Sequence, residues 1–76
     1  MYGGVRMTLL EAREGIEYTI KDIQTDDDEL DAFLFSLGCY SGESITVVSR
    51  RGGSCVVAVQ DGRYCIDKNL QNMIEI

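Results

Sequence analysis

The segment TDDDELDAFLFSLGCYSG, residues 25–42, constrains the fold more than any other part of this sequence. Its apolar residues recur at the spacing of an α-helix and form one stripe, made of Leu30, Phe33, Leu34 and Leu37. A glycine ends the helix, and a second glycine allows a sharp turn soon after it. Strand-like sequence flanks the segment on both sides. We therefore expect the helix to cover the open end of a small sheet, with a structural corner formed by Leu34, Leu37, Gly38 and Gly42 and anchored by Leu37.

The carboxylates at the start of this helix allow two interpretations. Asp26 is a natural N-cap with Glu29 three residues on, and acidic side chains in a first turn are stabilised by the helix dipole. The same run could supply oxygen ligands to a hard cation, through Asp26, Asp27, Asp28, Glu29 and Asp31. We favour the structural interpretation because the alternating acids and central glycine of an EF-hand loop are missing. No resident cofactor is expected, and Fe²⁺ or another divalent ion would bind here only transiently.

The segment IEYTIKDIQ before the helix predicts an irregular first strand. Ile16, Tyr18 and Ile20 share one face, whereas Ile23 falls on the other. A strand has a side-chain period of two, so this change of face indicates a bulge or a strand end near Lys21 or Asp22.

Three more strands, ESITVVSRR, SCVVAVQ and RYCID, are predicted after the helix, joined by turns at Gly52-Gly53 and Asp61-Gly62. An Asp61-Gly62 turn would place Val59 opposite Tyr64 and Val57 opposite Ile66, with the thiols of Cys55 and Cys65 on opposite faces. A short helical turn in DKNLQNM and a final strand, IEI, complete the chain. The predicted class is all-β (mainly β): a small barrel with one inserted α-helix and a short C-terminal helical turn.

Composition excludes several functions. The chain has 76 residues and a net charge of -6, so it is one small domain that would repel a nucleic acid backbone. It contains three cysteines, at spacings that match no zinc motif, and no histidine, which removes the commonest general base. We therefore expect that the protein is not an enzyme. No long apolar run is present, which predicts a cytoplasmic protein without membrane insertion. Residues 1–6 are predicted to be a flexible N-terminal extension and residues 7–76 the domain.

Taken in order, the segments MTLLEAREG, YTIKDI, LDAFLFSLGCYSGE, ITVVSR and GRYCIDKNLQNMIEI resemble the FeoA family of ferrous iron transport. The most specific part is Leu34, Leu37, Gly38, Cys39 and Gly42, which is similar to the family element L-x-x-L-G-[LMF]-x-P-G. The chain departs from that element because Ser41 replaces the usual proline and Cys39 the usual aliphatic residue. Its helix is also acidic, whereas the helix is often basic in relatives.

The resemblance implies an SH3-like β-barrel that serves as an accessory or regulatory protein and contacts the membrane GTPase transporter FeoB. An exposed aromatic pair and the acidic helix face are the expected contact, namely Phe35, Tyr40, Asp27 and Asp31. Three further possibilities remain open. One is a metal-binding sensor or carrier, since the same module resembles the C-terminal domain of metal-dependent repressors, and another is a weak homo-oligomer. The third is a generic SH3-like module that binds proline-rich peptides, which two Phe, four Tyr and no Trp disfavour because such a module needs an aromatic-lined groove.

Overall fold

The computed structural model describes residues 7–76; residues 1–6, predicted to be an extension, lie outside the described residues. A short 3₁₀ turn, Leu9–Glu11, comes first. The remaining elements are β1 (Glu17–Thr19), β2 (Asp22–Ile23), α1 (Asp28–Leu37), β3 (Ser44–Arg51), β4 (Ser54–Val59), β5 (Gly62–Ile66), α2 (Lys68–Met73) and β6 (Ile74–Glu75). This order confirms the predicted one. No helix of the described chain is long and apolar enough to cross a bilayer.

The strands form two antiparallel sheets. Four of them pair in the order β1-β3-β4-β5, and β2 pairs with β6. Because the chain leaves the first sheet after Thr19 and enters the second at Asp22, the predicted strand end near Lys21 is confirmed. Single bridges from Thr8 to Glu75 and from Glu14 to Val47 link the N-terminal segment to the sheets. The result is a barrel-like arrangement of two sheets instead of one continuous closed sheet.

The core lies between these sheets, and alternate residues of β3 and β4 make the largest contribution to it. Ile45 and Val47 point inward from β3, and Cys55, Val57 and Val59 point inward from β4. This period-two pattern is the one expected for strands with one covered face. The mainly β class predicted from the sequence is therefore confirmed.

Helix α1 departs from its predicted details at both its cap and its stripe. The N-cap is Asp27, not Asp26, because the Asp27 Oδ1 atom accepts from the backbone N–H groups of Glu29 (2.9 Å) and Leu30 (3.3 Å). Leu34 is fully buried, whereas Phe33 is 52% exposed. The apolar stripe is narrower than predicted because the helix rests on the sheet through little more than one line of side chains.

The corner after α1 forms as predicted, but its anchor differs. Gly38 has the left-handed φ of 94°, and its N–H bonds the carbonyls of Leu34 and Phe35. Leu37, expected to anchor the corner, is only partly buried, and Leu34 occupies the core position. Gly42 also has a φ of 94° and donates its N–H to Ile20 O, which returns the chain to β3.

The β4–β5 hairpin turns one residue earlier than predicted, which shifts the pairing of the two strands by two residues. Val59 pairs with Gly62 and Val57 with Tyr64, so the turn residues are Gln60 and Asp61. Gln60 adopts a φ of 51°, and a Cβ at Gly62 would lie 2.2 Å from the Tyr64 hydroxyl, which explains why glycine stands inside the strand. Because a shift of two preserves the strand faces, the prediction that Cys55 and Cys65 lie on opposite faces is confirmed.

A polar clamp that the sequence did not reveal joins the 3₁₀ turn, β3 and α2. The Arg50 guanidinium donates to Leu9 O, to Ala12 O at 2.8 Å and to Gln71 Oε1 at 2.8 Å. The Gln71 side chain is 1% exposed and donates in turn to Gly53 O and Ile66 O. Each of these buried or partly buried carbonyls thereby has a hydrogen-bond donor, as polar groups removed from water require.

Candidate functional site

A shallow concavity of about 370 Å³ lies between α1, β2 and the turn that follows Gly38. We call it the α1 cleft and define it by its lining residues, which are Asp22, Ile23, Asp31, Ala32, Leu34, Phe35, Cys39, Tyr40 and Ser41. Ile23 reaches this position because β2 leaves the larger sheet to pair with β6. The cleft therefore depends on the strand break at Lys21.

Phe35 and Tyr40 come together at one side of the cleft. Their ring centroids are 4.9 Å apart and their planes are tilted by 36°. Phe35 is 66% exposed, whereas Tyr40 is half-buried, and the Tyr40 hydroxyl accepts from Gln60 Nε2 at 3.4 Å. The sequence predicted both residues as a contact surface, and the structure makes them a single aromatic unit fixed at one end by Gln60.

The predicted acidic residues do not form one group. Asp31 lines the cleft, whereas Asp27 is occupied with capping α1, and Asp26, Asp28 and Glu29 are exposed outside the cleft lining. Within residues 7–76, no three His, Cys, Asp or Glu side chains are close enough together to hold a metal ion. Asp22 joins Asp31 at the cleft instead. Sequence reasoning missed Asp22 because its position depends on the distant pairing of β2 with β6.

A second concavity of about 510 Å³ lies on the other side of α1. Phe33 and Leu37 from the helix, with Tyr64 from β5 and Leu70 from α2, supply its apolar lining. Arg63 and Asp67 give it one charge of each sign. The two exposed phenylalanines of α1 thus line different concavities.

The three cysteines differ in exposure. Cys39 and Cys55 are buried, and burial raises the pKa of both thiols, an effect that Arg50 partly offsets at Cys55. Cys65 is exposed on the outer face of β5. This difference agrees with the predicted placement of Cys55 and Cys65 on opposite faces of the sheet.

We expect one of the three thiols to react quickly with a thiol reagent in the folded protein. Thiolate is the reactive form, and both access and thiolate fraction are low at Cys39 and Cys55. Timed labelling with an aromatic disulfide at neutral pH, followed by peptide mapping, should place the first label on Cys65, with the other two labelled only in denaturant. Rapid modification of Cys39 in the folded protein would contradict its placement in the floor of the cleft.

Gly38 and Gly42 provide a matched pair for testing the corner, since both have a φ of 94°. A Cβ at Gly42 meets nothing within 4 Å, whereas one at Gly38 would lie 2.8 Å from the Gln60 side chain. Gly42→Ala should therefore cost about 1–2 kcal/mol of left-handed strain. Gly38→Ala should cost about 1 kcal/mol more, because Gln60 must move and give up its bonds to Tyr40 and Glu43.

Urea unfolding of the two variants checks this difference. When Gln60→Ala is added to both variants, their losses of unfolding free energy should become equal, since the side chain that Gly38→Ala displaces is then absent. A difference that persists without Gln60 would show that the strain at Gly38 has another source.

Comparisons with known proteins agree with this geometry. A family model described as the FeoA domain matches residues 7–76. A crystal structure described as an iron uptake regulatory protein (FeoA) superimposes with a TM-score of 0.78 at 22% identity, covering 93% of each chain. A manganese-dependent transcriptional repressor superimposes with a TM-score of 0.82 at 20% identity, covering 93% of this chain.

The chain spans only 40% of the length of that repressor, so the second likeness concerns one part of it. At such identities the structural matches show the fold alone, which is the small SH3-like β fold expected from the sequence. No match was found among curated protein sequences. The family model covers nearly the whole chain, and the protein therefore belongs to the FeoA domain family.

Proposed function

We propose that this protein is a cytoplasmic, non-enzymatic accessory protein of ferrous iron transport that acts by contact with a FeoB-like membrane GTPase. Membership of the FeoA family supports the link to iron transport. The observation that carries the contact role is the α1 cleft, where an exposed Phe35 pairs with a half-buried Tyr40 beside carboxylates, on a chain without histidine. Exposed aromatic residues flanked by charge are typical of protein contacts.

The proposed contact uses Phe35, Tyr40 and Asp31, with Asp27 contributing charge while it caps α1. The net charge of -6 favours a basic surface on the transporter and should speed association with it. Within the described residues no acidic group surrounds a common point that a resident ion could occupy. A role through surface contact therefore accounts for the arrangement better than chemistry at a bound metal.

Binding to the purified cytoplasmic part of the FeoB-like transporter from the same organism tests this function. Titration calorimetry at low salt should detect a complex whose affinity falls as salt is raised, because screening weakens contacts between opposite charges. Charge reversal at Asp31 should lower the affinity in the same measurement. Absence of a complex at low salt, with the protein folded, would rule the proposal out.

A metal sensor is the second candidate, favoured by the fold likeness to a manganese-dependent repressor. The acidic residues at the start of α1 would be its ligands, with Asp26, Asp28 and Glu29 outside the cleft. Because these side chains do not converge, we expect Mn²⁺, or Fe²⁺ without oxygen, to leave the melting temperature unchanged. A stabilisation that disappears in Asp28→Asn and Glu29→Gln variants would instead favour the sensor.

A further inference from the structure

The α1 cleft combines an apolar floor with negative charge at its edges. Leu34 and Cys39 are buried at its floor, where each is at most 3% exposed. Phe35 stands beside them with two thirds of its surface exposed, at 66%. Such a lining can receive an apolar side chain, since exposed aromatic surface gains free energy when it is covered.

The charges at the cleft have one sign. Asp22 and Asp31 are its charged lining residues, and both are carboxylates. The concavity on the other side of α1 has a comparable apolar lining but carries both Arg63 and Asp67. Because these two charges are opposite, that concavity favours neither a cationic nor an anionic occupant. Charge therefore distinguishes the two concavities and selects a cationic occupant for the α1 cleft.

Local hydrogen bonds hold the edges of the cleft in place. The Asp22 carboxylate accepts from Ile23 N at 2.9 Å and from Gln24 Nε2 at 2.6 Å, which orients it without adding a positive charge. On the opposite side, Ser41 Oγ donates to Lys21 O at 3.1 Å and ties the turn after Gly38 to the start of β2. A cleft with fixed edges loses little conformational entropy when an occupant binds.

We propose that the α1 cleft binds a short basic segment of a partner protein, which inserts one apolar side chain against Phe35 and Tyr40 and places Lys or Arg side chains beside Asp22 and Asp31. The assignment of this segment to the cytoplasmic part of the transporter rests on the proposed function. The chemistry of the occupant rests on the lining alone. Asp27 is left out of this contact because it caps α1.

Helix α1 contains its own controls for this proposal. Phe33 and Phe35 are both exposed, at 52% and 66%, but line different concavities. Asp28 and Asp31 are both exposed acids of α1, and only Asp31 lines the cleft. We expect Phe35→Ala to weaken binding of the transporter's cytoplasmic part about tenfold or more, and Phe33→Ala about twofold or less. Asp31→Lys should likewise weaken this binding more than Asp28→Lys does, and the difference should be largest at low salt.

Thermal melts must first show that all four variants are folded, which their exposure predicts. If Phe33→Ala weakens the complex and Phe35→Ala does not, the cleft and the contact residues assigned to it are overturned, while the role as an accessory protein that contacts the transporter stands. Equal effects of Asp28→Lys and Asp31→Lys would also overturn it, because binding would then follow net charge and not the cleft.

A synthetic peptide separates the two proposals. The nitrogen-labelled protein is titrated with acetyl-Lys-Lys-Leu-Lys-Lys-amide and followed in proton–nitrogen correlation NMR spectra. The backbone amide peaks of Ile23, Tyr40 and Ser41 should shift at lower peptide concentrations than the other peaks. Peptides with Gly in place of Leu, or Glu in place of Lys, should shift them much less. Specific shifts without transporter binding would leave the cleft chemistry intact and reject the transporter. Any of three outcomes would overturn the cleft proposal: equal shifts with all three peptides, shifts centred on the concavity that Phe33 lines, or no shifts at all.

Discussion

Leu34→Ala should cost about 2–5 kcal/mol of unfolding free energy, the range observed when a large aliphatic side chain is removed from a core. Leu34 is the fully buried side chain of α1, at 1% exposure, and it forms part of the floor of the cleft. Removing its isobutyl group leaves a cavity where the helix meets the sheet. A domain of this size is stabilised by only a few kcal/mol, so the variant should be partly unfolded at room temperature.

Leu37→Ala is the matched control, because it removes the same atoms one turn away on the same helix. Leu37 is partly buried, so we expect its loss to cost about half as much or less. Urea unfolding, followed by circular dichroism, gives both values. A Leu37 variant at least as unstable as the Leu34 variant would restore the anchor expected from the sequence and would contradict the packing of α1.

The sequence predicted features that depend on short-range patterns. The alternation of Ile45 with Val47 and of Val57 with Val59 indicated their strands, and both pairs are buried. Gly38 ends α1 as expected, because a left-handed residue after a helical stripe favours glycine. One local signal was overlooked: Thr8 and Glu11 form a reciprocal capping box that starts the 3₁₀ turn.

The features that escaped prediction depend on contacts between distant segments. Helical periodicity placed Phe33 on the apolar stripe, but how far the sheet extends beneath the helix decides whether that ring is covered. An Asp-Gly pair favoured a turn at Asp61-Gly62, whereas the close approach of Tyr64 to Gly62 uses the glycine inside the strand. Side-chain packing thus overrode the usual turn preference and moved the register by two residues.

The α1 cleft shows the same division. Phe35 and Tyr40 could be predicted as a pair because they flank one glycine turn, and Asp31 lies on the same helix. Asp22 and Ile23 could not, since their place in the cleft follows from the pairing of β2 with β6, which lie at opposite ends of the domain sequence. The side of the cleft that is built on one helix and its turn could therefore be predicted from the sequence, while the opposite side could not.

Arg50→Met should cost about 2–4 kcal/mol, since it removes the donors of a clamp that the sequence did not reveal. Methionine keeps much of the apolar length of the side chain but leaves Leu9 O, Ala12 O and Gln71 Oε1 without the guanidinium. Arg51→Met is the control, because Arg51 is exposed at the end of the same strand, and we expect a change of about 0.5 kcal/mol or less.

Gln71→Met should be non-additive with Arg50→Met in a double-mutant cycle, since the two side chains share one hydrogen bond. If Arg50→Met were as stable as Arg51→Met, water would be satisfying those carbonyls and the clamp would contribute nothing to the fold.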